Sequence, residues 1–127
     1  MKNEENRLNI FEIEHFNVLL DDFDSIFKDK DAELQLVLSR KTINSEKMDN
    51  VKLLLFAVRS YHDSMTRIKV RFLAFKESAD FKDLDSYNKK LVETFDKKIN
   101  KYLARSESFI TKCNEFLNPD EITNDLT

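Results

Sequence analysis

The chain has 127 residues, 41% apolar and 35% charged, with 11 Phe, no Trp, a single proline at Pro119 and no glycine. Average usage of about 7% would supply roughly nine glycines. Their absence excludes the backbone devices that only glycine supplies, namely a Walker A or dinucleotide phosphate cradle and the G-x-S-x-G nucleophile elbow.

The start of the chain carries good helix punctuation. Asn9 can cap a helix whose capping-box position holds Glu12, and Leu8 can staple onto Ile13. Ile13, Phe16, Leu20, Phe23, Phe27, Leu34 and Val37 then form one apolar stripe, interrupted where Lys30 and Asp31 occupy core slots. Tolerating that wet spot gives a first helix over about residues 9–41; a break near Asp29 would instead give four helices. The turn falls at residues 41–45, where Thr42, Asn44 and Ser45 cluster, Asn44 or Ser45 can cap, and Ile43 can staple onto Met48.

The second segment, about 45–79, has the clearest period. Val51, Leu54, Val58, Tyr61, Met65, Ile68, Phe72, Phe75 and Ala79 alternate steps of three and four, a heptad-like coiled-coil stripe. A third segment, about 82–117, repeats it through Leu84, Tyr87, Leu91, Phe95, Ile99, Tyr102, Ser106, Phe109, Cys113 and Phe116, with two successive steps of four near its centre. Proline disfavours helical geometry in the residue before it, so the third helix ends near Leu117. The expected fold is all-α, an antiparallel up-down-up bundle forming one domain over residues 1–127, with 1–8 and 118–127 as loose tails.

The lone Cys113 cannot form an intramolecular disulfide, which fits a reducing compartment, and it sits on the apolar stripe as a buried thiol. The start MKNEEN lacks an apolar signal region, and the longest apolar run, Leu53 to Val58, falls far short of the roughly 20 residues that span a bilayer. A cytoplasmic or nuclear protein is expected.

No constellation for catalysis, metal or cofactor emerges. Glu12 and His15 have one helix's share of a di-iron carboxylate motif, but the other histidine, His62, has Arg59 where the second carboxylate would stand. Asp29, Asp31 and Glu33 imitate the start of a calcium loop, yet Leu34 and Arg40 occupy the positions that need glycine and a bidentate glutamate. His62 lacks the Leu-Lys-Gly that follows a phosphoryl-accepting histidine, and is expected to half-bury its ring and donate a hydrogen bond.

Two surfaces stand out instead. On a helical wheel Leu53, Phe56, Val70 and Ala74 lie off the main stripe of the second helix. Leu53, on the flank, can be covered inside the bundle; Phe56 and Val70 call for a protein partner or a homo-oligomer. The second surface is a basic ridge of Lys90, Lys97, Lys101, Arg105 and Lys112 on the third helix, with Arg67 and Arg71 as a smaller patch on the second.

The net charge of −3 is segmental: residues 1–50 carry 7 basic and 12 acidic side chains, 51–113 carry 14 and 8, and 114–127 carry 0 and 4. That pattern fits either internal pairing of an acidic first helix with basic later ones or a binding ridge. The functional expectation is a non-enzymatic helical interaction or adaptor protein, with a small nucleic-acid-associated regulator using the ridge as the alternative.

Overall fold

A computed structural model describes residues 7–40 and 44–118. It is an all-α bundle of three long helices and one short one: α1 (Ile10–Leu38), α2 (Ser45–Lys76), α3 (Ala79–Lys82) and α4 (Ser86–Leu117). The three long helices run up, down and up, as expected.

The local signals act where the sequence places them. Asn9 accepts the Glu12 N–H at 2.8 Å while the Glu12 carboxylate accepts the Asn9 N–H at 3.2 Å, a complete capping box. Asn44 caps α2 through the Lys47 N–H at 2.9 Å. The staple expected between Ile43 and Met48 involves residue 43, outside the described residues.

The structure differs from the sequence reading in four respects. First, α1 continues through the wet spot and stops at Leu38 rather than 41, so the break near Asp29 does not occur. It survives because Asp31 meets Arg105 of α4 at 3.5 Å and Lys30 pairs with Glu33 at 3.7 Å, giving the core-slot charges partners. Second, α2 ends at Lys76, where Ser78 returns its N–H and hydroxyl to the Phe75 carbonyl. The one-turn α3 follows, and Asp85 then caps α4 by accepting the Asn88 N–H at 2.8 Å, so α4 starts at Ser86 instead of 82.

Third, the phase at the start of α4 shifts. Val92 is buried, whereas Tyr87 is 70% exposed and Leu91 half-buried. Val92 is in helical register with the buried Phe95, Ile99 and Tyr102, and it lines one groove together with Phe81 of the preceding turn. Fourth, the N-terminal tail is docked from residue 7 onward. Leu8 is fully buried and its N–H donates to the Arg71 carbonyl at 3.1 Å, while Arg7 meets Asp80 at 3.2 Å.

The core is a column along the bundle axis, contributed by Ile13, Leu20, Phe27 and Leu34 of α1, Val51, Val58, Met65 and Phe72 of α2, and Phe95, Ile99 and Phe109 of α4. Aromatic rings join the layers: Phe23 packs edge-on to Tyr61 at 5.4 Å, Phe27 sits 6.1 Å from Tyr102, and Phe72 lies 4.7 Å from Phe95. Such pairs add about 0.5–1.5 kcal/mol beyond area burial. No described residue has a positive φ, so the described turns form without left-handed backbone. No helix of the described residues is long and apolar enough to cross a membrane.

Candidate functional site

Residues with chemistry inside the bundle are committed to structure. His62 is half-buried, with Nδ1 2.6 Å from Ser106 Oγ. Ser106 is fully buried and donates its hydroxyl to the Leu103 carbonyl at 2.9 Å, so with that bond made its oxygen accepts a hydrogen bond from the imidazole Nδ1–H. Cys113 is fully buried, and burial pushes its thiol up to about 11, away from thiolate chemistry. Glu12 is held by Arg71 at 2.9 Å, while His15 is exposed. Among the described residues no three His, Cys, Asp or Glu side chains converge as metal ligands.

The basic ridge divides in two. Arg105 is half-buried, 2.8 Å from Asp24 and 3.5 Å from Asp31, with its guanidinium over the Phe27 ring. Arg71 is likewise drawn to Glu12, and Lys98, which the sequence reading did not single out, reaches Asp21 at 2.7 Å and the Asn17 carbonyl. These pairs tie acidic α1 to the basic later helices. Lys90, Lys97, Lys101 and Lys112 remain exposed on α4, and Arg67 on α2.

The apolar surface is stronger than its four sequence-derived residues suggested. Phe56 is 73% exposed and Val70 63% exposed on α2, and Ala74 is partly open on the same line. Leu53 was expected to be covered by a neighbouring helix, but it is 68% exposed. The reason is the open groove between α1 and α2 at this end, lined by Leu36 and Val37 from α1 and Leu53 and Leu54 from α2. Leu36, itself 65% exposed, belongs to this surface and was missed in sequence because it sits opposite the α1 stripe, where nothing marks it as part of α2's face.

Three exposed polar residues complete the α2 face. Ser60, Asp63 and Arg67 lie between Phe56 and Val70, so that 53, 56, 60, 63, 67, 70 and 74 alternate steps of three and four. This is a second heptad stripe on the helix that carries the clearest core stripe. The repeated spacing is its sequence signal, hidden because the centre of the run is polar. Asp63 and Arg67 are each without an opposite charge in ion-pairing distance among the described residues, although they stand one turn apart.

Comparisons with models of protein families, with curated proteins and with solved structures found no match for this chain.

Proposed function

We propose that this chain is a non-enzymatic helical interaction protein, an adaptor that binds a protein partner or a further copy of itself through the outward face of α2. The observation that carries the reading is the exposure of Leu53, Phe56 and Val70 on one helix whose opposite side already packs into the core. Large apolar side chains grouped on an exposed surface mark association sites. An aromatic such as Phe56 is the kind of anchor that dominates interface energy. The exposed lysines of α4 would orient and steer an acidic partner. A lone cysteine, with no second thiol for an intramolecular disulfide, supports a working place in the reducing cytoplasm or nucleus.

The test compares wild type with Phe56→Glu and Val70→Glu. Circular dichroism is expected to stay helical for both, since neither side chain supports the core, while capture of a protein partner from native cells, or self-association, is lost. Loss of helix in both variants, or binding that survives both, would overturn the reading.

The alternative, nucleic-acid binding by the ridge, has less support because Arg105 and Arg71 already serve carboxylates of α1. It predicts retention on immobilised DNA or RNA that falls steeply with salt and disappears when Lys97 and Lys101 are reversed to Glu. We expect no such retention.

A further inference from the structure

We propose that a second copy of this chain docks on the outward face of α2, the two α2 helices packing antiparallel across a two-fold axis between Asp63 and Arg67. The inference rests on the interaction role proposed above and names its partner. The stripe from Leu53 to Ala74 extends about 32 Å at 1.5 Å per residue, and its seven positions behave as the a and d sites of a coiled coil.

In an antiparallel pair, a sites of one helix meet d sites of the other. Placing the two-fold between Asp63 and Arg67 sets Arg67 against the partner's Asp63 and, by symmetry, Asp63 against the partner's Arg67, with Leu53 at the end of the stripe falling opposite the partner's Glu77. The next layers set Ser60 against the partner's Val70, and Ala74 against the partner's Phe56. In these two layers large residues face small ones, and the two charges that have no opposite charge in ion-pairing distance among the described residues find one across the axis. This is the isologous self-complementarity that a two-fold dimer needs.

Competing arrangements lack this match. Sliding by one heptad places Arg67 against the partner's Phe56 and Asp63 against the partner's Ser60, or else Arg67 against the partner's Val70 and Asp63 against the partner's Ala74. Parallel pairing sets Asp63 on Asp63 and Arg67 on Arg67, a like-charge contact that discriminates strongly against it. On the flanks, small Ala57 and Ser64 leave room for the incoming helix. Arg59 falls alongside the partner's Leu73, whose side chain is exposed in the single chain. A single helix pair is a modest interface, so the dimer is expected at the weak end of stable association.

The experiment is sedimentation velocity of the full chain from low micromolar to near-millimolar concentration. Wild type is expected to pass from monomer to dimer. Asp63→Arg and Arg67→Asp each create like-charged central layers and are expected to weaken the dimer by about tenfold or more. Mixing the two variants restores opposite charges in both layers, so a heterodimer of wild-type strength is expected. Oxidation of a mixture of Ser60→Cys and Val70→Cys chains is expected to give the mixed cross-linked pair in preference to either homodimer, with Cys113 buried and silent.

A wild-type chain that stays monomeric throughout overturns the inference. The interaction reading is then judged separately, by whether Phe56→Glu abolishes capture of a different protein. A dimer that ignores both charge reversals, or variants that fail to recover on mixing, also overturns the antiparallel α2 pairing.

Discussion

Lys47, in the first turn of α2, donates from its ammonium to the backbone carbonyl of Arg40 at 2.6 Å and reaches that of Leu38 at 3.4 Å. The side chain is buried, with the charge 5.3 Å from the centre of the Phe116 ring. A cation from the next helix thus satisfies carbonyls at the end of α1, where the macrodipole is negative and no basic residue stands in the last turn. Lys47→Met keeps the apolar stem but leaves those carbonyls short of a donor, and is expected to cost about 1–3 kcal/mol. Urea denaturation checks this, with the midpoint falling and the slope unchanged.

Ser106 and His62 pin α4 to α2 at mid-height. Ser106→Ala removes the partner of the half-buried imidazole and is expected to cost about 1–2 kcal/mol. Ser106→Val adds bulk at a fully buried position and is expected to cost more. Thermal unfolding of the two variants should rank them in that order below wild type.

Hydrogen bonding from Lys28, with further help from Arg105, holds the Asp24 carboxyl below its ordinary 3.8, against a smaller opposing effect of desolvation. A carboxylate with a depressed folded pKa stabilises the fold above its unfolded pKa and loses that contribution as pH falls through the folded value. The stability difference between wild type and Asp24→Asn is therefore expected to hold near neutrality and shrink below about pH 4. Denaturant midpoints measured across pH 2 to 7, roughly the carboxylate range and above, report it.

The sign is opposite for Cys113, whose thiol burial raises from 9.0 to about 11. Its neutral form belongs to the folded state, so its contribution is complete below pH 9.0 and is lost as pH rises toward 11. At pH 8 a thiol reagent should label the native chain slowly and the urea-unfolded chain at once. Fast native labelling would contradict the burial of Cys113 between Phe109 and Phe116.

Features governed by nearest neighbours along one helix were legible in sequence. The Asn9–Glu12 box, the Asn44 cap and the α2 core stripe from Val51 to Phe75 stand where spacing and side-chain chemistry put them. Features that depend on how one helix meets another were not. The burial of Val92 and the exposure of Tyr87 are set where the start of α4 meets the preceding turn, a contact that spacing along one helix does not report. Lys47 is buried because the chain doubles back beside it, and a lysine stem is long enough to accept that position.

Charge showed the same division. Segmental counts left pairing between an acidic first helix and basic later ones open beside a binding ridge, and could not say that Arg105 would leave the ridge to serve Asp24 and Asp31. For the outward face, Phe56, Val70 and Ala74 were visible as off-stripe apolar residues. The open flank at Leu53 required the actual separation of α1 and α2 at their Leu36 end.

Among the described residues the backbone never enters the left-handed region, and this has a practical consequence. No described residue has a positive φ, so none occupies the backbone region that disfavours alanine, and no glycine has to be preserved. Alanine scanning of this protein therefore reports side-chain contributions with little backbone contamination. A scan along the exposed face of α2 would separate contact energy from folding energy position by position.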